Sequence, residues 1–534
     1  MKRMIMMILM AVVVMAGAVH AAPKKDGKPD GGSLSYGEYG RPATLDPITS
    51  NEMISLRITE LIFNGLVGIN EKQELVPELA EKWEASKDGR TFTFFLRKDV
   101  TWHPLEGEAP KPFTADDVVF TYKIMMHPKT ITPLKVRYEF IDTVEKVDDH
   151  TVRFTLKRPV LNALAKFSFK IIPKHGPANP FLTRDDRFVQ RPIGTGPYMF
   201  KAVTPEREII LAANDNYFKG RPHLSQIAEK PFADQNIMTQ ALMFNAIDMI
   251  VLVNPRDIPE IQGDKRFVLK TYNALSYSFF GYNVRNPLLA DKRVRRAFTL
   301  AVNRQEMLDS FFSGQGTIIS GPFAPGSWAY NLDVQPAAFD APKAIALLQE
   351  AGFTRGADGF MQKDGKKLKL SLKVPIEKES EAVKRVVLAF KNYLKNIGAD
   401  IKVEFKEWQA WKEDVFLEHD FDIIFASWVF DDSADISSLF HSGEIGPWKN
   451  NFGGYANPEV DGLINESKLT LDHEKRRTIN RKLHALLAEE NPYTFLWNLT
   501  NYAAYRDKVR RVAIHPYKFF SFADEWFMEA KDQK

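Results

Sequence analysis

The sequence predicts an α/β fold divided into more than one lobe. Three observations predict it. The run Phe421-Asp422-Ile423-Ile424-Phe425-Ala426-Ser427-Trp428-Val429-Phe430 is short, apolar, β-branched and aromatic, the pattern of a strand buried on both faces. Other strand-like segments alternate with capped helices along most of the chain. At roughly 150 residues per domain, the length predicts about three domains. A hydrophobic content of 44%, with 12% aromatic, is ample for their cores.

The N-terminus reads as an export signal over residues 1–21. Lys2 and Arg3 precede an apolar core too short to cross a bilayer comfortably, and cleavage is expected after Ala21. Ala16, Gly17 and Ala18 argue against an uncleaved anchor. Residues 22–33, rich in Lys, Gly and Asp, read as a disordered leader. The chain has no cysteine, which excludes a lipidated thiol, a disulfide and a thiolate metal site. An exported protein without a lipid anchor is either retained behind a second membrane or secreted outright, and a Gram-negative periplasm is the favoured expectation. Losing Lys2 and Arg3 from a formal charge of +4 leaves a nearly neutral chain, which excludes a nucleic-acid surface.

The elements follow in order. Residues 34–39 form a first strand, and Arg41-Pro42-Ala43-Thr44-Leu45-Asp46-Pro47 breaks it into a loop. A helix over 52–63 stops at Asn64-Gly65. Residues 91–96 alternate as an antiparallel strand, and Thr114 caps a helix with Asp116 and Asp117 complementing its dipole. Residues 151–156 give another strand. At Gly194-Thr195-Gly196-Pro197-Tyr198 a turn is expected; Pro197 removes an amide that a phosphate loop would need. A helix over 238–246 leads to a strand over 248–253. Residues 291–307 read as one helix with a solvated or paired basic face. Asp340, Pro342 and Gly352 bound a helix, 358–374 a hairpin and strand, 381–398 a helix and 400–405 a strand. Beyond the central run, 475–490 is a helix, 492–498 a strand, and the tail is aromatic.

The central run ends in Asp431, Asp432 and Asp435, at the carboxyl end of a buried strand, the edge where open α/β sheets bind ligands. Asp432 and Asp435 read as a solvated turn and a helix cap. Asp431 is the candidate for a carboxylate awaiting a cationic ligand. Catalytic patterns are missing: there is no Gly-x-Ser-x-Gly elbow and no His-Glu-x-x-His, and His103, His127, His419 and His441 lack metal-ligand spacing. No cofactor is expected. An exported hydrolase and a scaffold or chaperone stand as the alternatives from other classes.

Several ordered motifs carry a family resemblance. They are Asn64-Gly65-Leu66-Val67, Pro77-Glu78-Leu79-Ala80-Glu81-Lys82-Trp83, Leu96-Arg97-Lys98-Asp99-Val100-Thr101-Trp102-His103, Gly194-Thr195-Gly196-Pro197-Tyr198, Asp291-Lys292-Arg293-Val294-Arg295-Arg296-Ala297-Phe298 and Tyr455-Ala456-Asn457-Pro458-Glu459-Val460-Asp461. In this order they resemble extracellular solute-binding protein family 5, the peptide- and nickel-binding components of ABC importers. The resemblance spans nearly the whole mature chain. It implies a type II periplasmic binding protein: two lobes with a hinge, in the large three-subdomain variant. Lobe I would hold 34–70, 190–280 and 500–534, with 71–189 as its extra subdomain, and lobe II would hold 281–499. The crossovers would fall near 277–283 and 494–501.

The resemblance also implies a site. Trp428 and Asp431 match a Trp and an Asp three residues later that hold a peptide's α-amine in peptide-binding members. Ser427, Val429 and Phe430 would offer backbone groups to an extended ligand. Tyr277, Phe279, Arg41 and Thr44 align with a facing wall, and Trp408 with a side-chain pocket. One departure counts against a strict dipeptide binder. Where dipeptide-specific relatives carry an Arg, this chain has Pro375-Ile376-Glu377-Lys378-Glu379, and Lys378 lacks the bidentate fork. The implied function is capture of a small solute, an oligopeptide or dipeptide first, by a monomer that delivers it to membrane permease subunits. Nickel complexes, haem and oligosaccharides are the other ligands the family implies.

Overall fold

The computed structural model describes residues 29–533 except 51, 73, 106, 133, 161, 162, 184, 185, 274, 275, 377–380, 431–433, 471, 516 and 517. The expected export signal and most of the leader therefore lie outside the described residues, as do Asp431, Asp432 and Lys378. Among the described residues no helix is long and apolar enough to cross a membrane.

Two large sheets organise the chain. The first has eight strands. At its centre Ser33–Tyr39 runs parallel to Gln226–Phe232 and to Met249–Ile250, and Phe267–Asn273 and Trp497–Arg506 pair antiparallel at one end. The aromatic tail closes this sheet: Phe520 packs on Tyr36 with ring centroids 4.8 Å apart, and Trp526 is buried behind it. The second sheet orders Asp400–Glu407, Lys369–Ile376, Ile423–Val429, Ser276–Tyr282 and Tyr493–Phe495. Its first three strands are parallel, and Ser276–Tyr282 is antiparallel to both of its neighbours. A separate antiparallel sheet of Ala80–Ala85, Thr91–Leu96, Thr151–Leu156 and Ile141–Asp148 packs into the core of the first.

Apart from the short strand Gly316–Ile318, which joins the first sheet only through its pairing with residues 497–499, the chain passes between the two large sheets twice. One passage lies between Asn273 and Ser276, the other at Leu496. The strand Ser276–Tyr282 belongs wholly to the second sheet, so the first crossover precedes Tyr277 instead of starting there. Asn498 Nδ2 donates to the Ser276 carbonyl at 2.6 Å and ties the passages together.

Several elements differ from their sequence reading. The strand expected over 248–253 shrinks to Met249–Ile250. The single helix expected over 291–307 is two, Lys292–Ala301 and Arg304–Phe312, because Asn303 leaves helical geometry and caps the second through Glu306 N–H. Its basic residues are not all solvated or ion-paired. Arg304 is buried, with most of its donors held by backbone carbonyls; Arg295 is buried too, bonded to carbonyls and ion-paired with Glu490 at 3.9 Å. Asp117 does more than complement a dipole: it accepts from Thr114 N–H at 2.9 Å, Trp102 Nε1 at 3.2 Å and Lys174 N–H at 2.8 Å.

The glycines at 194 and 196 serve close approach, not turn geometry. A Cβ on Gly194 would lie 1.8 Å from the Ile62 carbonyl oxygen, and one on Gly196 2.5 Å from that of Leu61. Buried His103 closes the loop: Gly194 N–H donates to Nδ1 at 3.2 Å, so Nε2 donates to the Gly196 carbonyl at 2.9 Å. Burial holds this imidazole neutral, with its pKa lowered to about 4.

Candidate functional site

The strand Ile423–Val429 changes character along its length. Its first three residues are buried on both faces, held parallel to Leu372 and Lys373 on one side. Asp422 fixes the entry by accepting from Ser371 N–H at 2.7 Å, Ser371 Oγ at 2.9 Å and Asn286 Nδ2 at 2.6 Å. Past Ile424 the two parallel strands part, and Lys369–Ile376 continues beside Asp400–Glu407. Trp411 sits at the divergence, donating its indole N–H to the Lys373 carbonyl at 3.3 Å. The buried Lys373 ammonium is neutralised there by Asp414 at 2.8 Å and Asp420 at 2.7 Å.

Residues 425–429 therefore keep one strand partner, Ser276–Tyr282, and their other edge carries no strand among the described residues. In an antiparallel pair, alternate residues turn their N–H and C=O away from the partner. Such an edge leaves backbone groups unpaired and able to bond an extended chain. On one face of it Ser427 and Ser278 share a hydroxyl hydrogen bond of 2.9 Å, and Val429 is 62% exposed. On the other face Trp428 stacks on Phe279 at 5.9 Å and Phe452 at 6.1 Å, and Phe279 on Tyr493 at 4.2 Å. Phe430 stacks on Tyr277 at 5.2 Å.

The sequence-proposed residues divide into three groups. Ser427, Trp428, Val429 and Phe430 lie together on or beside the open edge. Tyr277 and Phe279 do not form an opposite wall; they are buried in the strand hydrogen-bonded to that edge and support its aromatic layer. Trp408, 43% exposed, stacks on Trp411 at 5.4 Å and so stands beside the gap between the strands. Arg41 and Thr44 follow the first strand of the other sheet. Arg41 is exposed, and Thr44 is committed locally, accepting from Asp46 N–H at 3.1 Å and donating its own N–H to Ser55 Oγ at 3.2 Å. Among the described residues, no hydrogen bond or ring contact joins Arg41 or Thr44 to residues 427–430. Asp435 is not the helix cap expected of it: Ile436 holds the N-cap position of Ser437–Phe440, and Asp435, one residue earlier, accepts from Ser437 N–H at 2.9 Å.

Sequence reasoning missed two groups. Phe452 completes the stack under Trp428 from a segment without periodicity. Glu229 is the other. It pairs in register with Tyr36, is buried, and among the described residues neither its carboxyl oxygens nor the Tyr36 hydroxyl has a hydrogen-bond partner. Nearby Glu38 already holds Arg57, at 2.5 and 2.7 Å. Burial, and then the Glu38 charge, push Glu229 up to about 8, against a smaller opposing pull from Arg41. A single Glu inside Gln226–Phe232 was the available signal.

Among the described residues no group of three or more His, Cys, Asp or Glu side chains is placed to hold a metal ion. The family model for bacterial extracellular solute-binding proteins, family 5 Middle, matches residues 74–447. The oligopeptide-binding protein AppA of Bacillus subtilis is 31% identical over 519 residues, covering 95% of this chain and 94% of that protein. The structure of AppA in complex with a nonapeptide aligns at a TM-score of 0.77 with 30% identity, covering 94% of this chain and 99% of that one. NikZ from Campylobacter jejuni in complex with Ni(L-His) aligns at a TM-score of 0.75 with 26% identity, covering 93% and 99%.

Proposed function

Because the chain belongs to the family 5 extracellular solute-binding proteins, with the type II binding-protein fold, we propose that it captures a peptide between its two lobes and delivers it to an ABC importer without chemical turnover. The observation that carries this reading is the open edge at residues 425–429, exposed beside an aromatic layer. An extended peptide satisfies its backbone groups there by strand addition, and its side chains alternate between the layer and the open face. The likeness to an oligopeptide binder seen with a nonapeptide favours this solute over a nickel complex. The lobes meet at the crossovers between 273 and 276 and at 496, and ligand preference for the closed arrangement drives closure. Residues 71–189 form a subdomain on the first lobe. In this reading Asp431, next after Phe430, receives the peptide's α-ammonium, Trp428 covers the first residues, and Arg41, Thr44 and Trp408 line the closed cleft. The mature protein begins after residue 21 and acts as a free monomer in the periplasm.

Asp431→Asn tests the assignment. It preserves shape, removes the charge, and should weaken peptide binding by about 2–5 kcal/mol, the range for breaking a desolvated charge pair. Acetylating the peptide amine should cost as much and add little to the variant. Unchanged calorimetric affinity in both cases would remove the ammonium anchor from the account.

A further inference from the structure

A second recess lies in the lobe of the five-stranded sheet, and none of its lining residues belongs to the 425–429 edge. It encloses about 350 Å³ between the helices Lys292–Ala301, Ala341–Glu350 and His473–Glu490. That volume suits a small ligand. Its lining is cationic. Lys292 and Arg296 stand toward solvent, and Arg304 lies at the buried end beside Thr299 and Ser320.

The charges do not balance. Arg304 is 5% exposed. Three of its N–H groups reach backbone carbonyls, of Ile319 at 3.2 Å, Phe495 at 2.6 Å and Ala337, and no carboxylate of the described residues lies within ion-pair distance. Arg296 makes one bond, to the Ala488 carbonyl at 3.3 Å; no carboxylate of the described residues lies within ion-pair distance of it, and Glu489 faces it only at longer range. The acid in the lining, Glu489, is held by Lys292 at 2.9 Å. A buried guanidinium compensated by dipoles alone is costly, and a second cation nearby adds to the cost. Desolvation, then the Arg296 charge, bring Arg304 down to about 10. An anion between the two guanidiniums would relieve both effects, with the planar fork of Arg296 matching its oxygens and Arg304, whose Nη atoms already serve carbonyls, contributing its charge.

We propose that this recess is an anion-binding site, separate from the peptide edge, that takes a small multiply charged oxyanion, a phosphate or a dicarboxylate, between Arg296 and Arg304. Its position gives the anion access to the hinge. Arg304 holds the Phe495 carbonyl one residue before the crossover at Leu496, and Thr299 Oγ1 bonds Thr494 Oγ1 at 2.7 Å. Occupancy would stiffen the strand from which the lobes pivot.

The test is calorimetric and thermal titration of the purified mature chain with inorganic phosphate and, separately, with succinate. Sodium chloride at matched ionic strength is the control. Phosphate or succinate should raise the unfolding temperature saturably where chloride does not, and the stronger arm identifies the oxyanion class. Arg296→Gln, at the accessible side, should weaken that binding at least tenfold and leave peptide affinity within twofold; Lys292→Gln should weaken it less. Circular dichroism of both variants guards against a folding defect. An equal response to chloride, no saturation in either arm, or undiminished oxyanion binding by a folded Arg296→Gln would overturn the proposal.

Discussion

Glu229→Gln should change how the stability of the protein depends on pH. The substitution keeps the side chain's volume and removes its titration. In the unfolded chain this carboxyl ionises near its ordinary value of 4.5; in the folded chain it keeps its proton up to about 8. Between those values the unfolded state binds fewer protons, so this group makes stability fall as pH rises. At about 1.4 kcal/mol per pH unit, the wild type should lose about 3 kcal/mol through Glu229 between pH 5 and pH 7.5. The amide of the Glu229→Gln variant does not titrate, so the variant loses nothing at this position. Buried His103, His484 and His515, each lowered to about 4, act in the opposite direction. The informative quantity is therefore the difference between variant and wild type, in which they cancel. That difference, from urea unfolding at the two pH values, should move by about 3 kcal/mol in favour of Glu229→Gln as pH rises. An infrared carboxylic-acid band present at pH 7 and missing from the variant would report the proton directly. A stability difference that is the same at both pH values would refute the reasoning and require Glu229 to be ionised.

Two further substitutions probe the frame around the site. Gly194→Ala should cost more than about 3 kcal/mol or prevent folding, because its Cβ meets the Ile62 carbonyl at 1.8 Å; Gly89→Ala, at φ 65° with its Cβ in ordinary contact with Pro159 at 3.7 Å, should cost about 1 kcal/mol, and similar losses in thermal unfolding would contradict the distinction. Trp411→Phe leaves the Lys373 carbonyl without its indole donor; it should cost about 1–3 kcal/mol of stability and weaken peptide binding by loosening the gap beside the open edge, whereas unchanged calorimetric affinity would detach Trp411 from the site.

Local chemistry made many of the elements legible before any coordinates. Thr114 and Asp340 sit at helix starts, Gly352 lies just beyond a helix end in the left-handed region, and the apolar run over 421–430 holds the strand Ile423–Val429. What the sequence did not show depends on residues far apart in the chain. Gly194 and Gly196 looked like turn residues, but their need arises from the helix end at Ile62. Arg295 and Arg304 read as solvated or paired; Arg295 is paired with Glu490, and the carbonyl partners that bury both come from residues 289–290, 319, 337 and 490–495. The resemblance implies a facing wall for Tyr277 and Phe279; their pairing with Trp428 and Ala426 instead is a matter of register across about 150 residues of chain, which local sequence does not carry. The open edge itself was legible only in part. The run of residues announces a buried strand, but the parting of its parallel neighbour beyond Lys373, with Trp411 at the divergence, is a property of the sheet.

The central claim is that the open strand edge receives a peptide and releases it unchanged. Mass spectrometry of the solute freed by denaturing the natively purified protein tests it most directly. The account predicts peptides, close to one per chain, that rebind the emptied protein and are recovered intact after prolonged incubation. Recovery of a nickel complex, haem or a sugar in that stoichiometry, or progressive cleavage of the rebound peptide, would contradict it.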